Sequence, residues 1–324
     1  MRLVDLFVQI LREKGVRGIG VSSKQHCSLQ RIALLVANGK YSLCTCGSYK
    51  YIVPVSENVA DVCLAKCEGI ISKKDIVERD SFPYIAIDCR FYDLHSEKEK
   101  FSLEVQVKQV LGVVRKYLWD DKLIVASHDF GVGRYYERLE DFLTERGIGE
   151  VLLLDPYAEK AFRGETSECY VLGGIVDKGE EKVLTPKIGE ELEKSGFKVV
   201  SRRIELRGSV VGVPDRLNHI AEIVLRVVCD GEDVERAIKS VQPPVVAKWR
   251  LRIELPKKSF RIRVGSDVAR GIFKSVFRDF DWLNVRESDF YEVASQLKFF
   301  VLDDGIAEKL VWDEERKCYQ LRSS

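Results

Sequence analysis

A carboxylate placed just past a pair of glycines, where an apolar run stops, is a candidate for acid–base chemistry, and Gly173-Gly-Ile-Val-Asp177 has that form. Adjacent glycines weaken an ordinary strand, because they add no packing and lose the most backbone entropy on folding. Something must therefore approach the backbone closely there. Acidic residues recur where other apolar runs stop: Ile87 is followed by Asp88, Leu154 by Asp155-Pro156, and Gly208-Ser-Val-Val-Gly-Val-Pro214 by Asp215. Parallel sheets bind ligands at the carboxyl ends of their strands, so chemistry is expected at these positions. Taken singly, Asp88 or Asp155 reads more simply as a helix cap or turn residue. The G-x-G-x-x-G fingerprint of a dinucleotide fold is absent.

Two further groups could do chemistry. Cys44-Thr-Cys46 with Cys63-Leu-Ala-Lys-Cys67 offers four thiolates to zinc, although C-x-C with C-x3-C departs from the commoner C-x2-C spacing. Disulfides, rare inside cells except in hyperthermophiles, and free thiols are the alternatives. Between 248 and 263, Lys248, Arg250, Arg252, Lys257, Lys258, Arg261 and Arg263 stand against Glu254 alone. Strict alternation puts Lys248, Arg250 and Arg252 on one face of a strand, opposite Trp249, Leu251, Ile253 and Leu255. Arg261 and Arg263 share a face of the next strand. Both rows are predicted to meet a nucleic-acid backbone, the competing reading being the wet face of an antiparallel sheet. His219 reads as a packed or surface histidine rather than a catalyst.

The elements that must position these residues fall into three predicted domains. Residues 82–235 alternate strands and helices, the pattern of a parallel sheet covered on both faces, hence an α/β fold. Strands are expected at 84–87, 123–126, 151–154, 170–172 and 197–200, and helices at 103–118, 133–146 and 184–195. Pro214 is expected to open a last helix, lined by Leu217, Ile220, Val224 and Val227. Residues 1–80 are predicted to combine an opening helix, strands at 32–36 and 49–55, and a short helix within 59–71. Beyond Pro243-Pro244, residues 244–324 read as an α+β domain with strands at 245–255 and 260–264 and a helix from about 266.

Composition bounds the partners. A chain of 324 residues with 45% hydrophobic content can build two or three cored domains. Its uncharged apolar runs are far shorter than the ~18 residues of a membrane span, and the mixed charges of its opening helix predict a folded, cytoplasmic N-terminus. With a net charge of +1, a nucleic-acid partner must be recognised by a local patch. Charged residues make up 32%, while Met occurs once and Asn at 38, 58, 218 and 284, a balance that fits a thermophile.

Three runs together resemble the tRNA (purine(9)-N1)-methyltransferases of the SPOUT superfamily. They are Ile87-Asp-Cys-Arg-Phe-Tyr-Asp-Leu-His-Ser-Glu-Lys-Glu-Lys-Phe-Ser-Leu-Glu-Val-Gln106, Gly173-Gly-Ile-Val-Asp177 and Asn218-His-Ile-Ala-Glu-Ile-Val-Leu225. The likeness covers about 82–230, and the flanking domains resemble the extra domains of archaeal members more loosely. It implies a trefoil-knotted α/β domain with S-adenosylmethionine bent into a pocket of three consecutive loops, lined by Leu154, Gly174, Lys178, Gly212, Val213 and Pro214. It further implies that Asp177 faces the target base, with Asp88 and Asp215 at other acidic or polar positions of the site. A tRNA substrate, a monomer and no metal in the site go with that reading. Guanine N1 carries a proton that must leave, whereas adenine N1 presents a free lone pair. Three neighbouring carboxylates would raise one another's pKa toward proton transfer. Lys178-Gly179 stands where a basic residue and Asn are common in eukaryotic members, which leaves the target base open. Rival readings are a SPOUT methyltransferase for another nucleotide or RNA, and a non-catalytic RNA-binding protein.

Overall fold

The computed structural model describes residues 1–176 and 183–321. Its first helix, α1 (Leu3–Glu13), buries Leu3, Leu6, Phe7, Ile10 and Leu11 along one stripe. It is followed by β1 (Gly18–Val21), α2 (Leu29–Ala37), β2 (Ser42–Thr45), β3 (Tyr51–Pro54), β4 (Val62–Ala65) and α3 (Lys73–Val77). The four strands form one sheet in the order β2-β4-β1-β3. Two expectations fail here. Residues 32–36 are helical because the Ser28 hydroxyl accepts from the Arg31 N–H at the start of α2, and a run buried all round carries no periodicity to separate helix from strand. Within 59–71 there is no helix; Val62, Cys63 and Leu64 are buried in β4 between β2 and β1.

The six-stranded sheet comprises β5 (Tyr84–Asp88), β6 (Leu123–Ala126), β7 (Arg134–Tyr136), β8 (Glu150–Leu154), β9 (Cys169–Gly173) and β10 (Lys198–Arg202). Interspersed are α4 (Glu97–Tyr117), α5 (Leu139–Arg146), α6 (Thr185–Lys194) and α7 (Leu217–Asp230). All pairings are parallel, in the order β10-β8-β9-β5-β6-β7. Leu139, Phe142 and Leu143 of α5 and Ile188 and Leu192 of α6 cover one face of it, over Ala86, Ile124, Leu153 and Val171. That cover explains why the strands read as unbroken apolar runs. Helix α4 begins earlier than its apolar periodicity, because Ser96 and Glu99 form a capping box. Residues 133–146 divide into β7 and α5. Helix α7 starts after Pro214 rather than at it, and the Leu217 N–H donates to Gln106 Oε1 of α4.

The chain divides into two compact units. The first holds residues up to 204 together with 215–234, and so contains both sheets described above. The second holds 205–214 and the chain from 235 onward. It contains α8 (Val234–Val241) from its second residue, α9 (Pro244–Glu254), β11 (Phe260–Val264), β12 (Asp267–Phe273), α10 (Glu287–Gln296), β13 (Phe299–Leu302), β14 (Leu310–Asp313) and β15 (Cys318–Leu321). The sheet order is β13-β12-β11-β15-β14. Residues 245–255 are thus helical, not a strand. Pro244 at the first turn presets the helix, and Ala247, Leu251 and Leu255 are buried at four-residue spacing. The strand reading needed Trp249 and Ile253 buried, yet they are 58% and 41% exposed. The helix expected near 266 is also absent. Val264 pairs with Asp267 across Gly265-Ser266, and Gly265 has φ 63°, so β11 and β12 form a tight hairpin. Among the described residues no helix is long and apolar enough to cross a membrane.

Candidate active site

The carboxyl ends of β5, β9 and β8 come level in the sheet, Asp88 opposite Gly173 and Leu154 opposite Leu172. Asp88 is 1% exposed, and its carboxylate is fully engaged. Arg90 Nε lies 3.0 Å from each of its oxygens, Arg90 Nη2 lies 2.6 Å from Oδ2, and the Arg90 N–H donates to Oδ1. Arg90 also reaches Glu191 at 2.7 Å and Glu140 at 3.3 Å. Burial works against the charge of Arg90, but these carboxylates more than restore it and its pKa is raised. Asp88 is therefore an anchor for an ion-pair network, not the free carboxylate that the sequence led us to expect.

The glycine pair has a local cause. Gly174 N–H donates to Asp88 O at 2.7 Å, and a Cβ on Gly174 would sit 2.4 Å from Cys89 Sγ and 3.0 Å from Asp88 O. The close approach is made by the chain's own β5 end. One turn of sequence later, Val176 N–H donates to Nε2 of the buried His95 at 3.0 Å. That ring nitrogen must be unprotonated, so Nδ1 carries the hydrogen and donates to Tyr92 O at 3.1 Å. His95 thereby fixes the backbone immediately before Asp177. Asp177 and Lys178 themselves lie outside the described residues.

Asp155 follows Leu154 at the end of β8 and is buried; burial raises its pKa, and the Tyr157 N–H at 3.0 Å offsets part of the shift. Asp215 is exposed just before α7. In that helix Asn218 Oδ1 and His219 Nδ1 are buried with no hydrogen-bond partner among the described residues, and burial, then Arg216, lowers the His219 pKa. Gly212, Val213 and Pro214 belong to the second unit. There Gly212, at φ 91°, passes so close to Arg250 that a Cβ would lie 2.8 Å from that residue's Cβ. Gln242 Nε2 donates to Gly212 O at 2.6 Å. Sequence reasoning did not single out His95, Gln106, Arg90 or Gln242. The first three stand inside the run used for the family likeness, and no spacing marks them.

The basic residues separate into two kinds. Arg250 is buried, donates to Val211 O at 2.7 Å and lies 2.9 Å from Glu254, so it supports the 211–212 backbone. Lys248 pairs with Glu292 and Asp289, and Arg252 donates to Gln296. The expected row of three on a strand does not exist. Arg261 and Arg263 do share a face of β11, and Arg261 stands directly opposite Arg270 of β12. Among the described residues no carboxylate pairs with any of these three.

An all-parallel sheet with polar groups gathered at one carboxyl edge, carried with an added α+β unit, defines an α/β protein that binds its ligand at the strand ends. A crystal structure of Sulfolobus acidocaldarius Trm10 in complex with S-adenosylhomocysteine shares this fold, with a TM-score of 0.67 over 92% of this chain and 99% of that one at 24% identity. A second structure of the Sulfolobus acidocaldarius protein matches 74% of the chain and 98% of its own, at 27% identity and a TM-score of 0.55. By sequence, the chain is 36% identical to a tRNA (guanine(9)-/adenine(9)-N1)-methyltransferase of Thermococcus kodakarensis, over 93% of this chain and 90% of that protein. It is 31% identical to a tRNA (adenine(9)-N1)-methyltransferase of Sulfolobus acidocaldarius, over 75% of this chain and 85% of that protein. No family model matches. The chain belongs to the tRNA (purine(9)-N1)-methyltransferase family.

Proposed function

We propose that this protein methylates N1 of the purine, guanine or adenine, at position 9 of tRNA, using S-adenosylmethionine. The observation that carries this is the 36% identity, sustained over 93% of the chain, to an enzyme named for both purines. The level carboxyl ends of β5, β8 and β9 support it. S-adenosylmethionine supplies an electrophilic methyl group on a sulfonium, so that attack by the N1 lone pair forms a C–N bond as the C–S bond breaks. The first unit fits such a donor chemically. Leu154 and Gly174 present apolar side chain and bare backbone at the strand ends, Asp155 offers carboxylate oxygens to hydroxyls, and Asn218 Oδ1 and His219 Nδ1 await partners. Lys178 joins this set by sequence.

Asp177 is assigned as the group that takes or steers the guanine N1 proton, a step adenine does not need. Arg90 holds the end of β5 through Asp88, and His95 holds the backbone at Val176, the residue before it in sequence. Asp215 remains in the assignment as an exposed carboxylate at the start of α7. Arg261, Arg263 and Arg270 are assigned to the tRNA backbone, within a domain plan of 1–80, 82–235 and 244–324. A cytoplasmic monomer completes the reading.

Calorimetry with S-adenosylhomocysteine and transfer of labelled methyl groups to tRNA test the proposal together. Stoichiometric binding with labelled tRNA is expected. A protein that holds tRNA but neither binds S-adenosylhomocysteine nor labels the RNA is a binding module, and the proposal fails. In the Asp177→Asn variant, guanine methylation should fall more than adenine methylation; equal rates on both would remove Asp177 from the proton step.

A further inference from the structure

Four cysteines meet at one edge of the N-terminal sheet. Strands β2 and β4 are antiparallel neighbours with Cys44 directly opposite Cys63. Disulfides join Cys46 to Cys63 and Cys44 to Cys67, with Cα atoms 4.7 and 6.7 Å apart. Cys63 thus bonds one residue of the C-x-C pair while facing the other, and all four sulfurs share one small volume. Space is kept for them, since a Cβ on Gly20 of β1 would lie 2.5 Å from Cys63 Sγ. Cys63 is buried but Cys67 is exposed, so reagents in solution reach the cluster from one side. While the sulfurs are joined, no group of three or more His, Cys, Asp or Glu among the described residues is placed to hold a metal ion.

We propose that reduction turns this cluster into a tetrathiolate site for one divalent cation of the zinc class, with Cys44, Cys46, Cys63 and Cys67 as ligands. Zinc takes four thiolates in a tetrahedron with Zn–S of about 2.3 Å, and here Cys44 of β2 lies directly opposite Cys63 of β4, with Cys46 and Cys67 just beyond the ends of those strands. The C-x3-C spacing of Cys63 and Cys67 lies within the usual range for structural zinc sites, and C-x-C is accommodated because Cys44, in β2, faces Cys63 while Cys46, just past the end of β2, is already bonded to it. Each disulfide takes two electrons and two protons from a dithiol reductant, which is itself oxidised to a disulfide. The cation then displaces four thiol protons, leaving a centre of net charge −2. Lys66, between Cys63 and Cys67, adds positive charge beside it.

The site has structural work to do. All four strands of this sheet are four residues long, and a sheet so small needs a staple. Either the disulfides or the metal would tie β2 to β4, so the N-terminal sheet stays closed in oxidising and in reducing surroundings.

The full chain, purified metal-free, is reduced with a dithiol under inert gas and then given Zn2+, or Co2+ as a spectroscopic probe. One metal per chain is expected by native mass spectrometry, with the thiolate charge-transfer and visible bands of tetrahedral Co2+; the oxidised chain should take none. Replacing Cys44 and Cys67 by Ser leaves the Cys46–Cys63 pair intact and should abolish metal uptake at the same concentrations. If the reduced chain loses structure, regaining its circular-dichroism spectrum on adding one equivalent of Zn2+ supports the site. A reduced chain that binds no metal, folded or not, overturns it, as does equal uptake by the double variant.

Discussion

Gly174 is a glycine because Cys89 occupies the space its side chain would need. The sequence announced a close approach but not the neighbour, since which strand lies beside β9 is set by crossovers that no local pattern encodes. His95 was equally silent. Its function is one hydrogen bond, from Val176 N–H, and a histidine between Leu94 and the capping Ser96 shows no periodicity that would reveal it. Changing His95 to Phe leaves that buried N–H unpaired, at about 1–3 kcal/mol, and frees the backbone before Asp177. Methylation should fall more than S-adenosylhomocysteine affinity, and turnover unchanged beside wild type would remove His95 from the site. Asp155 gives a pH-dependent test. Burial raises its folded pKa above the unfolded value of about 3.9, so between the two the folded state binds the proton more tightly and stability declines as pH rises. Asp155→Asn lacks that loss, so the thermal midpoint of the variant should gain on wild type between acid and neutral pH. A difference that does not change with pH would show that burial costs this carboxylate nothing.

At the scale of elements, the six-stranded sheet was the most legible part of the sequence. Five of its six strands and most of its helices follow from apolar runs and helical spacing, because a sheet covered on both faces leaves long uniform signals. The N-terminal helix α2 and strand β4 were misassigned because short apolar runs bury equally well in either form. Helix α9 misled differently: its alternating sequence fits a strand, but Pro243-Pro244 starts a helix and Arg250 is drawn inward to hold Val211 O. Removing Arg250 from the proposed RNA grip leaves the β11–β12 hairpin. Arg261 and Arg270, like charges directly opposite each other, repel unless an anion lies between them. Replacing Arg261, Arg263 and Arg270 by Ser should weaken tRNA binding and flatten its dependence on salt, since fewer phosphates release counterions. S-adenosylhomocysteine affinity should hold. An unchanged salt slope would show this face to be merely solvated.

At the scale of the molecule, the family was recoverable from three separated runs, two of which mark the ends of β5 and β9 while the third lies in α7. The residues that hold the site could not be recovered in the same way. Arg90 reaches Glu191 across 101 positions, His95 reaches Val176 across 81, and Gln106 reaches Leu217 across 111, so each depends on the finished fold. The central claim is that this fold delivers a methyl group to N1 of one purine. The most direct measurement is nucleoside mass analysis of tRNA transcripts that differ only in guanine, adenine or uracil at position 9, after incubation with the protein and S-adenosylmethionine. N1-methylguanine or N1-methyladenine should form from the purine-9 transcripts and neither from the uracil-9 transcript. Methylated nucleoside in the uracil-9 transcript, or none in either purine transcript, would contradict the account.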